Sequence, residues 1–241
     1  VTALADAFPQ LPVVAIVGDV KHAARVESVL ARERPNVIFH AAAYKHVPLM
    51  EEENAWAAVR NNAWGTWVLA SAAVAARVEK LVLVSTDKAV NPTSVMGASK
   101  RLAEMVCQTL AGGPTMFVIV RFGNVFGSAG SVIPRFREQI ARGGPVTVTH
   151  PDITRFFMSL SEATQLLLQA GLQGRDGEIL VLDMGEPVRI VDLARDLIRL
   201  SGADPDQVPI VFTGLRPGEK LYEEPLASEE RTKPTTHPKL F

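Results

Sequence analysis

"KLVLVSTDKAVNPTSVMGASK", residues 80–100, is an apolar run, a polar turn and the beginning of a helical period in immediate succession. A continuous apolar strand of this kind, over 80–87, suits a parallel sheet covered on both faces. The helix that follows is predicted from about 95 to 111, and on it Met96 and Lys100 stand at i and i+4, sharing one face. Ser85, Thr86, Asp87 and Lys88 lie at the strand's carboxyl end, where open α/β sheets place their ligands. Strand end and helix start therefore converge on one crevice.

Outward from this unit, further strands are predicted at "VVAIVGDV" (13–20), "NVIFHAAA" (36–43), "MFVIVRFGNVFG" (116–127) and "EILVLDMG" (178–185). Helices are predicted between them at 22–33, 50–76 and 131–142. That alternation is a doubly wound α/β pattern, Rossmann-like, with a parallel sheet. After about residue 144 the rhythm loosens. "SLSEATQLLLQAG" carries a Ser159 to Glu162 capping-box spacing, "IVDLARDLIRLSG" is an amphipathic helix stopped near Gly202, and the tail is rich in Pro, Thr and charge. The expected division is a partial dinucleotide-binding domain over 1–144, with the catalytic segment at 84–104, and a mostly substrate-binding lobe over 145–241. The lobe is small and expected to end in a poorly ordered tail, and strand 178–185 returns from it to the sheet.

No G-x-G-x-x-G occurs in these residues, and the G-x-x-G-x-x-G spacing occurs only in "GLQGRDG" (171–177), which follows a helical period instead of joining a first strand to a helix. Either the protein binds no dinucleotide, or the glycine-rich βαβ unit precedes the present chain. The second reading is preferred, because "VVAIVGDV" fits a third strand, with Asp19 and Val20 by an adenosine, and "NVIFHAAA" a fourth. In the strand order 3-2-1-4-5-6 the third strand would then lie apart from the fourth.

The bulk properties exclude several classes. The 241 residues are 47% hydrophobic, enough for one sizeable core and a small appended lobe. With 25 Lys+Arg against 26 Asp+Glu, no global field recruits nucleic acid. Cys107 stands alone, which excludes an internal disulfide and a cysteine-rich metal site and fits a reducing compartment. No stretch approaches the roughly 20 apolar residues of a membrane span, and no metal-ligand spacing involves His46.

Taken alone, Lys88 and Lys100 read as solvated charges and Met96 as core filler. The order of motifs argues otherwise: "VGDV", "HAAAYKHVPLME", "STDKAVNPTSVMGASK", "RFGNVFGSAGSVIPRF", "TRFFMSLSEA" and "LRPGEKLYEE". The set resembles the extended short-chain dehydrogenase/reductase superfamily, and within it the UDP-N-acetylglucosamine 4,6-dehydratases of capsular polysaccharide and flagellin-glycosylation type. The resemblance covers most of the chain.

It implies NAD as cofactor, UDP-N-acetylglucosamine as substrate and a reaction without net redox change. Hydride leaves sugar carbon 4 for the cofactor, the ketone acidifies carbon 5, water departs from carbon 6, and hydride returns there. Most of the superfamily carries a tyrosine four residues before the lysine. Here Met96 occupies that position, with no titratable proton and a weakly accepting sulfur. Methionine resembles the large, membrane-attached subgroup that retains configuration at carbon 5, so the expected place is the cytoplasmic side of the bacterial inner membrane. Attachment would come only through a segment preceding this chain.

The resemblance assigns Lys88 as base at carbon 5, Asp87 as proton donor to the 6-hydroxyl, Thr86 as hydrogen-bond partner of the 4-hydroxyl, and Lys100 as holder of the nicotinamide ribose. Asp87, through Thr86 or a water, is the proposed base for the 4-hydroxyl. Ala41, Ala42 and Ala43 would let backbone approach a flat cofactor. Lys45 is divided between pocket and exposed loop; Asn61 and Asn62 are expected to hydrogen-bond into the active-site helix or a buried water. Asn124 is expected on the sugar diphosphate, Val132 and Pro134 along the uracil, and Arg155 near it. Arg216 presents a planar fork suited to phosphate, Glu219 suits a ribose hydroxyl, and Lys220 reads as solvated. A homo-oligomer through the helices at 50–76 and 95–111 fits the superfamily. The competing functions are an inverting 4,6-dehydratase, a sugar-nucleotide epimerase, and a non-catalytic UDP-sugar-binding module favoured by Met96 and the absent glycine loop.

Overall fold

The computed structural model describes residues 6–128, 130–204, 207–226 and 232–241. The first half runs α1 (Ala23–Glu33), β1 (Val37–His40), α2 (Val47–Met50), α3 (Ala55–Val59), α4 (Gly65–Ala75), β2 (Lys80–Val84), α5 (Val95–Leu110) and β3 (Met116–Arg121). The second runs β4 (Asn124–Val125), α6 (Val132–Ala141), β5 (Val146–Val148), β6 (Thr154–Arg155), β7 (Phe157–Met158), α7 (Leu160–Gln173), β8 (Ile179–Val181), β9 (Val188–Arg189), α8 (Ile190–Leu200) and β10 (Ile210–Phe212).

The main sheet is parallel in the order β1-β2-β3-β8. Side chains alternate across its pleat. Leu81, Leu83, Phe117 and Ile119 face a core completed by α1, α4 and α5, whereas Val82, Val118 and Val120 face Ala163, Leu166 and Ala170 of α7. Burial on both faces explains why β2 and β3 read as unbroken apolar runs rather than alternating ones. A third core, built from α6, β5 and α8 around Phe136, Val146, Val148 and Ile198, forms the lobe. The lobe core thus draws on a helix before residue 144, and the sheet core on a helix after it.

The doubly wound parallel sheet is therefore present, but three local expectations are corrected. Residues 13–19 form no strand: a parallel strand exists only by pairing, and none of the described strands lies beside them. Val17 is 92% exposed, and its carbonyl accepts instead from the Arg25 guanidinium at 2.9 and 3.2 Å. The helix predicted over 50–76 is segmented, with a 3-10 turn at Glu52–Asn54 and a π turn at Arg60–Trp64. Asn61 and Asn62 are buried in that π turn, where the wider helix serves polar side chains that need specific partners. The tail's end is docked rather than loose: Val181 and Phe241 exchange backbone hydrogen bonds, and Leu240 is fully buried in the α7-side core.

Candidate active site

β2 delivers the site. Its chain continues through Ser85 and Thr86 into a 3-10 turn, Asp87–Ala89, capped by the Thr86 hydroxyl, which accepts from the Lys88 N–H at 3.3 Å. The Asp87 side chain is fully buried, and its Oδ1 accepts from Thr86 Oγ1 and Lys88 Nζ, each at 2.9 Å. Its Oδ2 is buried with no hydrogen-bond partner among the described residues. Gly123 leaves this oxygen its space; a Cβ there would lie 3.1 Å from it. Lys88 Nζ also donates to Asn124 Oδ1 at 3.1 Å, which places β4 beside the turn.

α5 closes the other side. Its first turn presses on the Asp87–Ala89 turn so tightly that a Cβ on Gly97 would overlap the Lys88 carbonyl oxygen. Ser94 caps the helix by accepting from the Gly97 N–H at 3.1 Å, and Glu51 Oε1 accepts from the Val95 N–H at 2.9 Å. Met96 and Lys100 are both buried on this helix. Lys100 donates to the Val84 carbonyl at 2.6 Å, and burial pushes its ammonium down to about 8. Asn62 donates to Ser99 Oγ at 2.9 Å and to the Tyr44 carbonyl, locking α5 to the chain leaving β1 as expected.

From the lobe, Arg155 on β6 reaches Glu219 at 3.5 Å and the carbonyls of Lys220 and Leu221. Arg216 pairs with Glu219 at 3.0 Å. Burial works to raise the Glu219 carboxyl, but the Arg216 hydrogen bonds and the Arg216 and Arg155 charges hold it below its ordinary value. Lys45, His46, Lys88, Arg155, Arg216 and Glu219 line one cleft between sheet and lobe. Lys220 lines it too and is no solvated charge: its Nζ donates to the Val90 carbonyl at 2.9 Å and tethers the lobe to the turn. Val132 packs toward the lobe core, and the lining residues include neither it nor exposed Pro134.

A family described as Polysaccharide biosynthesis protein matches residues 4–241. The chain belongs to that family. Among its relatives, the Capsular polysaccharide biosynthesis protein CapD of Staphylococcus aureus is 54% identical over 230 residues, covering 95% of this chain and 38% of CapD. The Probable polysaccharide biosynthesis protein EpsC of Bacillus subtilis is 54% identical over 225 residues, 93% of this chain and 38% of EpsC. The chain thus spans well under half the length of these two curated relatives. Pen from Bacillus thuringiensis superposes with a TM-score of 0.83 at 35% identity, covering 93% of this chain and 70% of Pen. DesIV of Streptomyces venezuelae, a dTDP-glucose 4,6-dehydratase solved with NAD bound, gives 0.77 at 27% identity, covering 91% and 72%.

In this polysaccharide biosynthesis family member, the residues expected to hold a dinucleotide can be compared with what such a group needs. Ala41 and Ala42 leave the carboxyl end of β1 exposed and without bulk, and Asp19 accepts from Lys21 beside that end, Lys21 in turn reaching Asn61 at 3.1 Å. Val20 packs where a Cβ on Gly65 would stand. With buried Lys100 at the end of β2, these residues fit the flat and ribose-bearing parts of such a cofactor; a glycine cradle for its phosphates is not among them.

Two features escaped the sequence. Glu104 and Arg121 form a buried pair beneath the site, Ser85 donating to the same Glu104 at 2.6 Å. Its signal was a charge ending the apolar run "MFVIV". Glu223, in the "LYEE" of the last motif, sits buried 3.6 Å from Lys88 Nζ.

Proposed function

We propose that this chain carries the active site of a hydro-lyase, an NAD-dependent UDP-N-acetylglucosamine 4,6-dehydratase that retains configuration at carbon 5. The product would be UDP-2-acetamido-2,6-dideoxy-alpha-D-xylo-4-hexulose for a surface polysaccharide. The observation that carries this reading is the pair of buried Asp87 and half-buried Lys88, an acid and a base 2.9 Å apart with one carboxylate oxygen unmet among the described residues.

Ala41, Ala42, Ala43, Asp19, Val20 and Lys100 would hold the cofactor, which supplies the reversible oxidation at carbon 4 that acidifies carbon 5. Thr86 Oγ1 orients the 4-hydroxyl, in the space a tyrosine would share with it were Met96 not there. Asp87 takes the 4-hydroxyl proton through Thr86 or a water and later gives it to the departing 6-hydroxyl, Lys88 takes the carbon 5 proton at Nζ, and Asn124 holds Lys88 beside Asp87. Lys45, Arg155, Arg216 and Glu219 would bind the UDP portion in the cleft, whose lining does not extend to Val132 and Pro134.

By the same reading the protein is a homo-oligomer and works on the cytoplasmic side of the inner membrane. Trp56, Trp64, Trp67, Leu102 and Met105 are exposed on the α3–α4 and α5 segments, an apolar set suited to a second copy. A relative 48% identical over 222 residues is described as an uncharacterized membrane protein of Methanocaldococcus jannaschii; among the described residues here, no helix is long and apolar enough to cross a membrane.

The test is proton NMR of the full-length protein with NAD and UDP-N-acetylglucosamine in deuterated water. A new 6-methyl signal with deuterium at carbon 5 is expected, and coupling constants of the reduced product report retention or inversion. Interconversion of 4-epimers without a methyl signal would instead favour an epimerase, the description borne by a Rickettsia rickettsii relative 39% identical over 222 residues. Binding without turnover would leave a UDP-sugar-binding module.

A further inference from the structure

Glu223 enters the site from the lobe, and its side chain is 3% exposed. Oε1 lies 3.6 Å from Lys88 Nζ and 3.7 Å from Arg155 Nε, while Oε2 meets no hydrogen-bond partner among the described residues. Asp87 is its counterpart on the sheet side, with Oδ1 on the same ammonium and Oδ2 unmet. The Lys88 ammonium therefore has three N–H groups and three oxygens around it: Asp87, Asn124 and Glu223. Of these, Asn124 is neutral, Asp87 makes the close contact, and Glu223 stands farther off.

The other charges facing Glu223 are Asp87 and Lys88 from the turn, Arg155 from β6, and Lys220 from its own segment. Arg155 is already committed to Glu219 and to the carbonyls of Thr154, Lys220 and Leu221. Lys220 is committed to Val90 and Glu224. A purely structural carboxylate in this position would be saturated, as buried carboxylates ordinarily are. Burial raises the Glu223 carboxyl above its ordinary value and the Asp87 charge reinforces this, against the pull of Lys88, Arg155 and Lys220.

We propose that Glu223 is a positioning residue acting through Lys88: its carboxylate is a second anion beside the Lys88 ammonium, after Asp87, and holds that nitrogen charged to higher pH than Asp87 alone would. Glu223 thereby sets the pH range of the site. The consequence for turnover rests on the dehydratase reading, whereas the effect on the charge of Lys88 does not.

The experiment uses full-length protein with NAD, as wild type, Glu223→Gln and Glu223→Asp. The Lys88 Nζ signal is followed by 15N NMR of labelled lysine across pH, identified by its absence in Lys88→Arg, and the pH profile of carbon 5 deuterium exchange is measured in parallel. Glu223→Gln should lower the Lys88 titration by about one pH unit, the low end of what an opposite charge contributes at this range. It should move the rising limb of kcat to lower pH with KM little changed. Glu223→Asp, a methylene shorter, should shift both in the same direction by less, and serves alone should the Gln variant not fold. An unshifted Lys88 titration, or an equal loss of activity at every pH, overturns the proposal. Absence of carbon 5 exchange in the wild type sinks the dehydratase reading instead, and the lysine titration still decides the role of Glu223.

Discussion

Two carboxylate–cation pairs with fully buried carboxylates flank the end of β2 in this molecule, and they are built differently. Glu104 and Arg121 meet through two bonds of 2.8 Å, with Ser85 and Arg101 taking up the remaining capacity of the carboxylate. Asp87 and Lys88 meet through one bond, and an oxygen of Asp87 is left unmet among the described residues. The first pair is closed and the second open. A closed pair joins α5 to β3 and fixes where Lys100 stands; an open one keeps a lone pair and a proton available to something else. Satisfaction of hydrogen bonds, more than burial or charge, separates the structural pair from the one proposed to react.

The largest expected effect comes from breaking the closed pair. Arg121→Met leaves the Glu104 charge buried without its bidentate partner and should lower unfolding free energy by about 3–5 kcal/mol in urea titrations. A loss under about 1 kcal/mol would mean that water reaches Glu104 and the pair is not closed. The open pair should answer in the opposite sense. Asp87→Asn preserves shape and should leave unfolding nearly unchanged, yet reduce dehydration by about 100-fold or more, since an amide has no proton to donate to a leaving hydroxyl. Equal activity in the Asn variant would remove Asp87 from the chemistry.

The contrast also marks what was legible in the chain. The closed faces of β2 and β3 were readable because unbroken apolar runs have one common cause, burial on both sides. Residues 13–19 have a similar composition, but a run of Val and Ile does not state which neighbour will pair with it, and among the described strands none does. At the site, the 80–100 segment was legible because its residues are close in sequence and helix periodicity carries them to one face. Glu223 and the Lys220 tether come from more than 100 residues downstream and meet the turn only through lobe packing, which no periodicity encodes. Arg121 ends an apolar run and Glu104 lies along a helix 17 residues earlier, and only the fold shows that they answer each other.

A smaller effect sharpens the comparison with a third buried polar group, one that is neutral. His40 ends β1, bonds to Thr66 Oγ1 at 3.0 Å, and is pushed by burial, with the Lys100 charge added, down to about 4 from an ordinary 6.5. The unfolded chain therefore binds a proton that the folded one refuses between these values. Stability is fully present above about 6.5 and is lost as pH falls toward 4. Between pH 7 and pH 5 this single group should cost about 2 kcal/mol, read as a falling Tm. His40→Asn should flatten that acid limb; an unchanged slope would assign it to the carboxylates.

The smallest effect tests how far α5 itself joins the two pairs, for it carries Glu104 and Lys100 toward its middle and rests its first turn on the Asp87–Ala89 turn. Two of the four N–H groups at its start are met by side chains, Gly97 by Ser94 and Val95 by Glu51. Ser94→Ala removes one acceptor in a buried setting and should cost about 1 kcal/mol, whereas Ser94→Gly, which tolerates the cap conformation and admits water, should cost only a few tenths, roughly. Because Gly97 lies against the Lys88 carbonyl, fraying of this turn should loosen Lys88 before it reaches Glu104, about two helical turns on. Hydrogen exchange in Ser94→Ala should accordingly quicken at Val95 to Ala98 and stay protected at Glu104. Uniform quickening along α5 would show that the helix opens as one piece and that the closed pair does not pin its far end.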